Sequence, residues 1–184
     1  MPAPLNADER EGIVLAAQGV FTKLRNLYAK VEAVFDAYGF TPPSAGVIAR
    51  DLSEKIEIAI TQHCSTFSKG VGHADLSRDG ENWEVKICKG GGLTINQSKL
   101  VAGEHYIVVN YTSDTRVSEV WVLWSADDSF FSPRKPNTNA RSLLKTHAAA
   151  HIEVLLKAKP SSFSATPAKA AKASIPGKNK AQAS

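Results

Sequence analysis

The chain has 184 residues, 43% of them hydrophobic and 22% charged, and a formal net charge of +4. This is the composition of one main folded domain with an appendage. No apolar run approaches the length of a membrane span, and the N-terminus lacks a basic, apolar, small-residue leader pattern, so a cytoplasmic protein is expected. Cys64 and Cys88 have neither metal-ligand spacing nor a secretory context, which predicts buried free thiols, with a disulfide as the alternative.

The first element in chain order is a helical arm, residues 1–43. Apolar or small residues at Ile13, Ala17, Val20, Leu24, Leu27, Val31, Val34 and Tyr38 recur in steps of four and three, giving one seam along a helix over residues 8–38. Unbroken, it would span about 45 Å, longer than a small domain is wide. It therefore breaks, with Gly19 as the candidate point, or it projects and pairs as the contact of a homodimer; covering the domain's own sheet is the other use of such a face. Thr41-Pro-Pro-Ser44 stops it, and Ser44 is a candidate N-cap for a second helix from Ala45 to about His63. Val47 or Ile48, Leu52, Ile56 and Ala59 or Ile60 form that helix's stripe, with Glu54 and Glu57 at its flanks.

The most informative stretch is His73 to Lys89. Asp79-Gly80 between two alternating runs is a strong hairpin signal, because a two-residue turn of the primed type requires positive φ at both positions. The turn dictates a register in which Arg78 faces Glu81, Ser77 faces Asn82 and Leu76 faces Trp83. Continued further, it sets Asp75 against Glu84, Ala74 against Val85 and His73 against Lys86. Ala74, Leu76, Trp83, Val85 and Ile87 then point into a core, while His73, Asp75, Glu84 and Lys86 share the other face. Opposed like charges destabilise a sheet, and a divalent cation between them is the simplest remedy. Carboxylate oxygens suit Mg²⁺, Mn²⁺ or Ca²⁺, and Lys86 beside them would orient or deprotonate an attacking water or offset charge on a phosphate. An ordinary Glu84–Lys86 ion pair on a solvated face is the alternative.

Asp75, a gap of eight residues, then Glu84-Val85-Lys86 resembles the active-site motif of the PD-(D/E)XK nuclease superfamily. The resemblance covers roughly residues 45–125 and departs from the family name at His73-Ala74, where proline precedes the aspartate. It implies an α/β, restriction-endonuclease-like αβββαβ core over residues 44–157, cutting DNA phosphodiester bonds with Mg²⁺ or Mn²⁺. Asp75, Glu84 and the Val85 carbonyl would hold the metal, and Lys86 would position the water. A glutamate of the preceding helix often completes such a site, which makes Glu54 the first choice and Glu57 the second. Many members carry a Gln or Lys shortly after the motif strand, and Gln97 is the candidate. A module that keeps this fold but binds DNA without cutting it is the competing reading.

Lys89 leads into the Gly90–Gly92 turn and a short helical stretch from about Asn96. These glycines form neither a GxGxxG nor a Walker pattern, so no nucleotide cofactor is expected. His105–Thr112 and Arg116–Trp124 read as central strands, with Trp121 and Trp124 in the core. A helical pattern follows from about Thr138 to His147, and Arg134, Lys135, Arg141 and Lys145 are a candidate DNA-facing patch or scattered surface bases. No CxxC, HExxH or GxSxG pattern is present. Beyond Glu153 six lysines and no acidic residue remain, which leaves residues 1–153 with a net −2. Residues 158–184 therefore read as a disordered Lys/Ala/Pro tail, serving either as a solubilising terminus or as a salt-sensitive hold on a polyanion.

Overall fold

A computed structural model describes residues 3–41, 52–135 and 137–158 of the chain. Helix α1 runs without a break from Ala7 to Ala37, about 46 Å at 1.5 Å per residue. A capping box sets its start. Asn6 Oδ1 accepts from the Glu9 amide at 2.9 Å, and the Glu9 carboxylate accepts from the Asn6 amide at 2.7 Å. The seven-residue seam is covered over half its length. Ile13, Ala17 and Leu24 are buried, with Ala16 and Phe21 beside them, whereas Leu27, Val34 and Tyr38 are 51%, 56% and 74% exposed. Helix α2, Leu52–His63, packs against α1 and buries Leu52, Ile56 and Ile60. The expected cap at Ser44 and the stripe positions Val47 and Ile48 lie outside the described residues, as does all of the tail beyond Ala158.

These helices lie on one face of a six-stranded mixed sheet, which makes the fold α/β. Its strands are β1 (Phe67–Lys69), β2 (Leu76–Arg78), β3 (Glu81–Lys89), β5 (His105–Tyr111), β6 (Val117–Leu123) and β8 (Ile152–Lys157). Their order across the sheet is β1-β2-β3-β5-β6-β8, with β3 and β5 parallel and every other neighbour antiparallel. A two-stranded sheet, β4 (Thr94–Asn96) with β7 (Ala140–Ser142), completes the strands. Side-chain alternation divides the core in two. Trp83, Val85, Ile107, Val109, Val120 and Val122 pack under α1 and α2, whereas Tyr106, Val108, Trp121 and Leu123 pack with Leu93, Ile95, Phe130 and Phe131 on the other side. Among the described residues, no helix is long and apolar enough to cross a membrane.

The parallel pair β3 and β5 needs a crossover, and a helix commonly supplies it. Here residues 90–104 cross over with β4 and one 3₁₀ turn, Gln97–Lys99, whose cap is Asn96. The helix expected over Thr138–His147 does not form, and β7 lies there instead. The reason is Arg141. It is 4% exposed and donates from Nε to the Ser132 carbonyl at 2.6 Å and from Nη2 to the Asp128 carbonyl at 2.9 Å and the Phe131 carbonyl at 3.2 Å. Its guanidinium also pairs with the Asp128 carboxylate. Arg141 thus holds the 128–132 loop from within and does not belong to a basic surface patch. Both cysteines are free thiols.

Candidate functional site

Asp79 and Gly80 adopt φ of +52° and +80°, as the primed turn requires, and β2 and β3 pair Arg78 with Glu81, Ser77 with Asn82 and Leu76 with Trp83. The ladder stops there. The pairings of Asp75 with Glu84, Ala74 with Val85 and His73 with Lys86 do not form, because residues 70–75 are taken up by the turn between β1 and β2. Lys69 pairs with Leu76, and the Gly70 amide donates to the Asp75 carbonyl at 3.1 Å. A Cβ at Gly70 would collide with the Ala74 carbonyl, so only glycine permits a turn this tight.

The outer edge of β3 beyond Trp83 therefore has no β2 partner, and Asp75 occupies its start. The Val85 amide donates to Asp75 Oδ2 at 2.8 Å, so a side chain replaces the missing strand. Because a residue's N–H and C=O point to the same side of a strand, the Val85 carbonyl lies on this open edge beside Asp75. Glu84 and Lys86 sit on the sheet face that also carries Tyr106 and Val108, their partners across β3 and β5.

Asp75 and Glu84 converge on Lys86. Its ammonium pairs with the Glu84 carboxylate, lies 4.0 Å from Asp75 Oδ2 and stands 6.0 Å from the centre of the Tyr106 ring. The charge that relieves the two carboxylates is thus supplied, in this state, by the chain's own lysine. Relief is incomplete. Burial raises the Glu84 carboxyl above its ordinary range; the Lys86 pair opposes this, and the charges of Asp75 and Glu104 add to it. Glu57 of α2 is pushed up to about 7 by burial and then by the charges of Asp75, Glu54 and Glu84, with only Lys86 pulling the other way.

These groups border a cleft of about 880 Å³, lined by Asp75, Glu84, Val85 and Lys86 together with Ser53, His73, Ser98, Lys99 and Tyr111. A smaller cavity of about 180 Å³ on the α2 side is lined by Glu54, Glu57, Asp75 and Lys69. Both glutamates singled out on α2 therefore line one cavity with Asp75, and Glu57 is the less exposed of the two. Gln97 opens the 3₁₀ turn and donates its amide to the Asn139 carbonyl at 2.5 Å, while its neighbours Ser98 and Lys99 line the cleft.

The oxygens available to a cation are two carboxylates and one peptide carbonyl. Among the described residues no three His, Cys, Asp or Glu side chains stand close enough to hold a metal by themselves. A site of one or two carboxylates completed by water and substrate is what Mg²⁺ accepts, so the donor set fits that ion. One residue escaped the sequence reading. Glu104, just before β5, is 3% exposed beneath His73 and Tyr106. A charged residue abutting an apolar strand was its only signal.

No protein-family model matches the chain, and no curated protein matches it.

Proposed function

We propose that the cleft hydrolyses DNA phosphodiester bonds with Mg²⁺ or Mn²⁺, in the manner of PD-(D/E)XK nucleases. The observation that carries this reading is the convergence of Asp75, at the open edge of β3, and Glu84, on its face, at Lys86. The order of elements accords with it: α2, then antiparallel β1, β2 and β3, then β5 parallel to β3. The 3₁₀ turn and β4 stand where an αβββαβ core has its second helix.

Asp75, Glu84 and the Val85 carbonyl are the ligands in this proposal, with Glu54 the first candidate on α2 to complete the site and Glu57 beside it. A cation there supplies Lewis-acid polarisation of a phosphate oxygen and acidifies water. The chain's own residues do the rest. The Val85 amide fixes the Asp75 carboxylate, so that oxygen needs no reorientation. Lys86 offsets charge gathering on the phosphate and orients the water whose oxygen bonds to phosphorus as the ester oxygen leaves. Ser98 and Lys99 supply donors along the cleft rim, and Gln97, the candidate named by the resemblance, directly precedes them.

A second reading rests on one observation, that the Lys86 ammonium already lies between the two carboxylates. On that reading the fold is a DNA-binding or assembly module that does not cut. Plasmid and linear DNA incubated with the protein and Mg²⁺ or Mn²⁺, beside EDTA and Lys86→Ala controls, separate the two. Cleavage abolished by EDTA and by Lys86→Ala is expected. Cleavage that survives in Lys86→Ala refutes the mechanism, and metal-independent DNA binding with no cleavage favours the second reading.

A further inference from the structure

We infer that the substrate is an unpaired DNA strand laid along the open edge of β3, and that Tyr111 is the platform on which a base near the scissile phosphate stacks. The inference rests on the nuclease reading of the cleft, and its test separates the failure of one from the failure of the other.

The cleft is not charged throughout. Beside Asp75, Glu84 and Lys86 its wall continues over Val85, Ile87, Val101 and Tyr111, so apolar surface adjoins the place where a phosphate would react. Tyr111, at the end of β5, is partly buried and carries the only Phe, Tyr or Trp ring on that wall among the described residues. Phe21 of α1, itself 1% exposed, backs this ring, with centroids 5.2 Å apart and planes at 36°. A ring held in advance loses little freedom when a flat base settles on it.

Tyr111 also borders a second cavity of about 510 Å³, lined by Lys89, Gly90, Gly91, Ser113 and Lys157. The Gly90 amide donates to the Tyr111 carbonyl at 3.3 Å, which ties the glycine turn to the platform. A Cβ at Gly90 or Gly91 would meet no atom within 4 Å, so this backbone is open to close approach. Glu119 lies there too, but its carboxylate accepts from Asn110 Nδ2 at 2.9 Å and faces the Lys145 ammonium at 3.6 Å. Lysines thus stand on both sides of the ring, Lys86 and Lys99 in the cleft and Lys89 and Lys157 in the cavity. Cations that follow a backbone past an aromatic ring are the arrangement that binds single strands. In a duplex the base faces are stacked on one another, and only base edges and the backbone point outward. Ile87 and Tyr111 would then meet charged backbone, whereas an unpaired nucleotide gives Tyr111 a bare face while its phosphate lies at Asp75, Glu84 and Lys86.

The test is fluorescence anisotropy in EDTA with the full chain, comparing a labelled DNA strand with the same sequence as a blunt duplex. The wild type is expected to bind the single strand at least roughly ten-fold more tightly. Tyr111→Leu keeps an apolar contact with Phe21 but removes the flat ring, and should weaken single-strand binding roughly ten-fold without changing its salt dependence. Tyr111→Phe should bind like the wild type. Lys89→Ala should lower the slope of log K against log salt by about 0.7, the signature of one single-strand phosphate contact. 2-Aminopurine placed at successive positions should be quenched by binding at one of them, and the quenching should persist in Tyr111→Phe and vanish in Tyr111→Leu. Should Tyr111→Leu unfold in a thermal melt, the comparison of strand with duplex and the 2-aminopurine scan of the wild type still decide. Equal or tighter binding of the duplex, quenching at no position, or a folded Tyr111→Leu that binds like the wild type overturns the inference. Cleavage in Mg²⁺ is scored separately. A duplex cut in preference to a single strand refutes this inference and leaves the nuclease reading standing, whereas stacking on Tyr111 with no cleavage refutes the nuclease reading alone.

Discussion

Removing Arg78 tests whether the hairpin that delivers Asp75 is anchored by a buried ion pair. Arg78 is 6% exposed and Glu9 of α1 is 3% exposed. Arg78 donates to Glu9 Oε1 at 2.7 Å and Oε2 at 3.0 Å, and to the carbonyls of Ala3 and Pro4 at 2.8 Å and 3.1 Å. Glu9 also accepts from Thr66 Oγ1 at 2.6 Å and from the Asn6 amide at 2.7 Å. Arg78→Ala strands a buried carboxylate and removes the donor from two carbonyls, a loss of about 3–5 kcal/mol. Arg78→Met with Glu9→Leu removes both charges together and is expected to lose far less, since the desolvation of each ion goes with it. The pH dependence carries a further check. Burial pushes the Glu9 carboxyl up, but the bonds from Arg78, Thr66 and Asn6 outweigh it and hold the group below its ordinary 4.5. Its stabilisation is therefore complete above about pH 4.5 and is lost as pH falls toward the depressed folded value. The gap between wild type and Arg78→Ala in urea unfolding should narrow below that pH. A loss under about 1 kcal/mol in Arg78→Ala at neutral pH would place this pair among weak surface bridges and refute the reasoning.

Three other outcomes are expected. Mg²⁺ at ten times its Kd should stabilise the wild type by about 1.4 kcal/mol in thermal unfolding, and Asp75→Asn should remove the effect; an equal Mg²⁺ response in the variant refutes the proposed ligand set. Glu57, pushed up to about 7 from 4.5, is ionised against a folding penalty that is absent below pH 4.5, grows between these values and is full above pH 7. Discounted for the group's partial exposure, the penalty is about 1 kcal/mol, so Glu57→Gln should stabilise the protein above pH 7 and be neutral below pH 4.5; a pH-independent effect in urea titrations refutes the cause assigned. The open stripe of Leu27, Val34 and Tyr38 predicts a concentration-dependent dimer by light scattering, lost in Leu27→Glu with Val34→Glu; a wild type that stays monomeric at every concentration rules out the helical arm as a dimer contact.

The residues that the sequence placed well are those governed by local rules. Asp79-Gly80 needs positive φ, and that requirement alone carried the register from Arg78 and Glu81 to Leu76 and Trp83. Asp75 lies one step beyond its reach. Whether a ladder continues depends on what the chain before it is doing, and the Gly70–Asp75 turn belongs to β1, a partner that alternation in β2 and β3 does not reveal. The pattern placed Asp75 beside Glu84 by pairing, whereas the fold brings both carboxylates to one lysine by ending the pairing. Arg141 and Glu104 were illegible for a related reason. A charge in sequence reads as solvated, and the partners that make burial tolerable, the Asp128 carboxylate and the carbonyls of Ser132, Asp128 and Phe131 for Arg141 and the hydroxyl of Tyr106 for Glu104, come from the fold. The seam of α1 shows the limit from the other direction. Its spacing was plain along its length, but the same heptad serves a helix that covers its own sheet up to Leu24 and one whose apolar face is exposed at Leu27, Val34 and Tyr38. Periodicity states which face is apolar; what covers that face is a property of the assembled chain.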